Sequence, residues 1–117
     1  MRYLTLFVLG STLLLKTEHA NAHAFLDHAS PRVGTTVSAA PREVTLVFTQ
    51  NLEPAFSGIK VTNAAGQRVD SGGTRVSGST MTVSLRGGGT GTYRVEWKVL
   101  SVDTHTTQGS FTFRVGQ

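Results

Sequence analysis

Tyr93-Arg94-Val95-Glu96-Trp97-Lys98-Val99 is the stretch that decides the fold. Apolar and charged residues alternate strictly, so one face is buried and the other wet, which is the period of a β-strand and not of a helix. Two further stretches repeat the pattern. Val44, Leu46 and Phe48 alternate with Thr45, Val47 and Thr49, and Phe111, Phe113 and Val115 alternate with Thr112 and Arg114. Val83 with Leu85, and Ile59 with Val61, predict two more strands. Between them lies turn chemistry: Pro31-Arg32-Val33-Gly34, Ala65-Gly66, Ser71-Gly72-Gly73 and Gly87-Gly88-Gly89. No segment after residue 22 carries a helical period. About seven short strands in this length predict a single all-β domain, an antiparallel Greek-key β-sandwich of immunoglobulin type. Trp97 sits mid-strand and is expected to fill the space between the sheets.

Outside this pattern stands the N-terminus. The run Leu4–Leu15 follows the basic Arg2 and ends before Ala20-Asn21-Ala22, a small-x-small motif. This is the order of a cleaved secretory signal. The run is about 12 residues, shorter than the ~20 that cross a bilayer as a helix. Residues 1–22 are therefore expected to be removed, leaving 95 of 117 residues as one domain, 23–117. Two other cuts compete. Cleavage after Ala24 would delete His23, and cleavage after Ala20 would leave Asn21-Ala22-His23 with Glu18 at an unfavourable position.

Composition narrows the chemistry. There is no cysteine, so disulfides, thiol nucleophiles, Cys-type zinc sites and blue-copper sites are excluded. The whole chain carries 11 basic and 7 acidic residues; without Arg2, Lys16 and Glu18 the remainder is net +3. The basic residues, Arg32, Arg42 and Arg75 among them, are scattered without aromatic interleaving, which predicts a solvated surface and no nucleic-acid partner. Met81 is the one methionine after residue 22, too few for a soft thioether site for Cu(I).

Cutting after Ala22 makes His23 the first residue. A terminal histidine offers an amine and an imidazole nitrogen together, a chelating pair that an internal histidine lacks. The amine titrates near pH ~8 and must lose its proton to bind, so metal affinity should fall as pH drops. Far along the chain, Ser101-Val102-Asp103-Thr104-His105 follows one strand and precedes another. In extended conformation Asp103 and His105 would face one side. Three nitrogens and one oxygen suit Cu(II), which favours tetragonal N,O coordination and heads the divalent affinity order. By itself, Asp-x-His more often marks a hydrogen-bonded turn. His28 lies at an odd offset from His23 and is expected to face solvent.

The stretch His23-Ala24-Phe25-Leu26-Asp27-His28-Ala29-Ser30-Pro31 resembles the start of CopC-like copper-resistance proteins. Val44-Thr45-Leu46-Val47-Phe48-Thr49-Gln50 resembles the family as well. So does Ser101–Val115, similar to its Ser-x-Asp-Gly-His…Gly…Phe-x-Val signature. The resemblance implies a periplasmic copper-binding β-sandwich; a monomer holding one Cu(II) is expected. The ligands it implies are the His23 amine and imidazole, Asp103 and His105. It also implies a partner, a membrane copper transporter of the CopD type. No enzymatic activity is expected, because about 95 residues leave little room for a broad substrate surface and an Asp beside the copper would screen an open coordination position. Thr104 stands where the family usually has glycine, which should restrict the backbone. Gln50 stands where many members have glutamate and is expected to hydrogen-bond near the metal without adding charge. Two other readings compete: a copper-dependent oxidative enzyme using a terminal histidine brace, and an immunoglobulin-like interaction module without metal.

Overall fold

The computed structural model describes residues 24–116. Eight strands form two four-stranded sheets. The strands are β1 (Leu26–Ser30), β2 (Thr36–Val37), β3 (Glu43–Phe48), β4 (Gly58–Thr62), β5 (Asp70–Ser77), β6 (Thr80–Leu85), β7 (Gly91–Leu100) and β8 (Thr106–Val115). One sheet has the order β1-β3-β6-β5 and the other β2-β8-β7-β4. A 3₁₀ turn, Pro54–Phe56, is the only helical element among the described residues.

The alternation that predicts the strands also sets the core. Val44, Leu46 and Phe48 from one sheet are buried against Tyr93, Val95, Val99, Phe111, Phe113 and Val115 from the other. Trp97 packs edge-on against Phe48, with centroids 5.0 Å apart and an interplanar angle of 75°. Its ring lies over the paired residue Gly109, where a Cβ would meet the indole at 2.6 Å. Met81 is fully buried in β6.

The structure corrects the expectations at three points. One pairing is parallel, β2 with β8. Leaving β1, the chain crosses to the other sheet through Pro31–Gly34 and keeps its direction, so the strand it forms there runs alongside β8. Ser71-Gly72-Gly73, read as a turn, lies inside β5, where the register with β6 shifts between Ser71 and Arg75. The glycines mark a bulge in the strand. Finally, β8 starts at Thr106, so it pairs with β7 along ten residues and reaches the Asp103-His105 segment.

The two sheets also meet through side chains at one edge. Thr74 Oγ1 accepts the amide of Ile59 at 2.9 Å, and Asp70 Oδ1 accepts that of Val61 at 2.8 Å. β5 thereby closes the free edge of β4.

Candidate metal centre

Strand β7 ends at Leu100, and the next five residues turn the chain back into β8. Thr104 N–H donates to Ser101 O at 2.8 Å, and Ser101 N–H donates to His105 O at 2.9 Å. Closing both bonds requires Thr104 to take φ +73°, the left-handed region. Among the described residues it is the only non-glycine there. A β-branched side chain in that region is uncommon.

Asp103 and His105 thus become neighbours through a turn, not through the extended backbone that their spacing suggests. His105 Nδ1 lies 3.3 Å from Asp103 Oδ1, and both side chains are a little under half exposed. Ser101 holds them. It is the one fully buried polar residue among those described, and its Oγ lies within hydrogen-bond reach of the Asp103 carboxylate and of the His105 main chain. The hydroxyl proton goes to the carboxylate or to His105 O, and the oxygen accepts from His105 N–H. The Ser101 hydrogen bond, with His105 second, holds the Asp103 carboxyl below its usual range. The Asp103 carboxylate is therefore favoured over its protonated form relative to a free carboxyl. Sequence reasoning gave Ser101 no role, although it heads the Ser-x-Asp-Gly-His signature, because a serine before a turn does not by itself show that it is buried.

A second segment packs against the same end. Residues 51–53 run antiparallel to Leu100–Val102: Glu53 N–H donates to Leu100 O at 2.8 Å, and Val102 N–H donates to Asn51 O at 3.1 Å. Gln50, half-buried, opens this segment beside Thr49.

The start of the described chain is clamped here too. Phe25 N–H donates to Thr49 Oγ1, and Thr49 N–H donates to Phe25 O, each at 2.9 Å. Thr107 Oγ1 donates to Ala24 O at 2.7 Å, and Ala24 is fully buried. Thr107 is two residues past His105. His23, with the expected signal segment, lies outside the described residues.

This end is acidic. Asp27, Glu53 and Asp103 lie in segments 24–30, 49–54 and 101–107, which contain no lysine or arginine. His28 faces solvent and bonds Asp27, Nδ1 to Oδ2 at 2.7 Å. Among the described residues no cluster of three or more His, Asp or Glu converges. Asp103 and His105 supply two donors, and a tetragonal ion needs more.

Comparison with known proteins gives the same family from three directions. Residues 26–116 match the family described as CopC domain. The chain is 36% identical over 111 residues to Protein YobA of Escherichia coli (strain K12), covering 89% of this chain and 87% of that protein. It is 33% identical over 127 residues to Copper resistance protein C of Pseudomonas syringae pv. tomato, covering 97% of this chain and 94% of that protein. The crystal structure of CopC from Methylosinus trichosporium OB3b superposes with a TM-score of 0.74 at 33% identity, over 80% of this chain and 93% of that one. Sequence, length of match and the two-sheet architecture agree: the chain belongs to the CopC family, whose members include proteins named for copper resistance.

Proposed function

We propose that this protein is an exported Cu(II) carrier or buffer of the periplasm. Residues 1–22 are its signal peptide and 23–117 its working domain. One Cu(II) is held by the His23 amine and imidazole with Asp103 and His105, and Gln50 hydrogen-bonds nearby. The ion is passed to, or buffered for, a membrane transporter of the CopD type.

One observation carries this reading. The residue that follows His23 is buried and bonded to Thr107, while the buried Ser101 holds an anionic carboxylate and an imidazole together two residues before Thr107. Two fixed donors and a clamped chain start suit a cation at an end free of lysine and arginine. An amine and a second imidazole would complete a tetragonal set. The reading as a carrier and not an enzyme rests on relatives named for copper resistance. With no thioether cluster in the sequence, the cargo is the divalent ion.

The test pairs intact mass of the exported protein with Cu(II) titration. The mass should begin at His23, and one Cu(II) should bind with nitrogen hyperfine structure in its EPR spectrum. A variant carrying one extra alanine ahead of His23 should lose that spectrum while keeping its fold. An unchanged spectrum in that variant would overturn the assignment of the amine.

A further inference from the structure

The flank of the sandwich differs from the acidic end. On the outer face of the β2-β8-β7-β4 sheet lies an open groove of about 820 Å³. Lys60 of β4 and Arg94, Glu96 and Lys98 of β7 line it, together with Phe56 and Thr74. Phe56 is 67% exposed, on a turn that holds it out of the core.

The charges in the groove do not cancel. Arg68 is spent on Asp70, Nη2 to Oδ2 at 2.6 Å. Glu96 is shared between Lys60 at 3.9 Å and Arg94 at 3.8 Å. Lys98 makes no ion pair among the described residues. The surplus is positive and has a fixed order along β7: cation, anion, cation at residues 94, 96 and 98.

We propose that this groove docks an extended acidic segment of a partner protein, read by its side chains. Arg94 and Lys98 are four apart on one strand, so they stand roughly 13 Å from each other on the same face. An extended segment repeats its own side chains at that spacing, so two acidic residues four apart meet both cations. The residue midway between them faces Glu96 and must be neutral or basic. Strand addition at the neighbouring edge is closed, because Thr74 and Asp70 already take the amides of Ile59 and Val61. Gln108, which also lines the groove, is three residues past His105, so a docked partner has the metal end beside it. Only that last link rests on the copper reading; the groove stands without it.

The experiment is NMR titration of the isotope-labelled exported protein with a capped peptide, Gly-Ser-Glu-Thr-Lys-Thr-Glu-Ser-Gly. Shifts should concentrate at residues 56–60, 94–98 and 108–110, and fade as salt is raised. Replacing the central lysine of the peptide by glutamate should weaken binding, and the Glu96→Lys protein should reverse that preference. Lys98→Glu should weaken binding about tenfold. The proposal is overturned if both peptides bind alike, or if residues around Arg32 and Arg42 shift as strongly. It is overturned equally if phosphatidylglycerol vesicles capture the protein while neither peptide does. Cu(II) titration of Lys98→Glu, whose site end is untouched, separates failure here from failure of the copper assignment.

Discussion

Strand β7 is entered and left through two loops that meet the same steric demand in opposite ways. The entry loop uses glycine wherever the backbone turns left-handed: Gly87 at φ +74°, Gly89 at +114° and, at the strand start, Gly91 at +115°. The exit loop, Ser101–His105, contains no glycine and puts Thr104 at +73°. Each loop is tied by one hydroxyl. Tyr93 donates to Gly89 O at 2.9 Å, and Ser101 reaches Asp103 and His105. The entry loop presents no titratable side chain between Gly87 and Thr90, while the exit loop presents a carboxylate and an imidazole. Backbone ease marks the end that only connects; strain of about 1–3 kcal/mol is retained at the end that carries the carboxylate and the imidazole.

The sharpest way to break this comparison is to damage the loops separately. Gly91→Ala would force a side chain into a left-handed residue and place its Cβ 2.8 Å from that of Ala64. We expect a loss of about 3 kcal/mol, read as a lower melting temperature, with copper stoichiometry kept by the folded fraction. Asp103→Ala should do the reverse. An exposed side chain is lost, so the melting temperature should barely move, whereas Cu(II) affinity in a chelator competition should fall by about a hundredfold or more. If Gly91→Ala weakened copper binding as much as Asp103→Ala, the two loops would not be divided in this way.

Ser101→Ala sits between those extremes. It removes the one buried hydroxyl that the Asp103 carboxylate and the His105 main chain share. The main-chain bond from Ser101 N–H to His105 O survives, so the turn should persist. We expect about 1–2 kcal/mol of lost stability and a fall in Cu(II) affinity of about tenfold, the scale of a lost supporting hydrogen bond. Ser101→Thr, which keeps the hydroxyl, should recover part of the affinity.

The loops also differ in how far they could be read beforehand. Val44–Phe48, Tyr93–Val99 and Phe111–Val115 announce themselves because burying one face of a strand forces alternation, and the core follows from it. Thr36-Val37 gives no such signal, since two residues cannot show a period, and so the parallel pairing with β8 was invisible. Gly72 and Gly73 misled for the opposite reason: glycine marks a bulge inside β5 as readily as a turn. At the candidate site Asp103 and His105 are legible in the sequence as residue types with donor atoms. Their contact depends on Ser101 and on Thr104 turning left-handed within the same short loop, while the clamp that brings the chain start to this end, Thr107 to Ala24, joins residues 83 apart. The family's glycine at position 104 hints at the special backbone there, but local pattern carries no trace of the clamp.

Thr104→Gly sharpens the comparison through its sign. Glycine takes φ +73° without a Cβ penalty but costs about 0.5–1 kcal/mol in unfolded-chain freedom. Against strain of about 1–3 kcal/mol, the net should be a gain of about 1 kcal/mol. If the variant is less stable than the parent, the left-handed threonine stores no strain and the contrast with Gly89 and Gly91 loses its energetic meaning.

The smallest effect, and the most specific, is in pH. The Ser101 hydrogen bond keeps Asp103 below the ordinary carboxylate range in the folded chain. A carboxyl whose folded pKa lies below its unfolded value of about 3.9 adds stability that is fully present above that pH. The contribution is then lost as pH falls through the folded pKa. Because Asp103 is exposed to solvent, it should be a minor part of acid unfolding, best read by NMR titration of its carboxyl carbon. In Ser101→Ala the Asp103 midpoint should move up, while that of Asp70, lowered by its bond from Arg68 at the far side of the sandwich, should stay where it is. If both midpoints moved together, the change would be global loosening. If neither moved, the buried hydroxyl would be bonded to His105 O and not to the carboxylate, and Asp103 would owe its position to the left-handed turn alone.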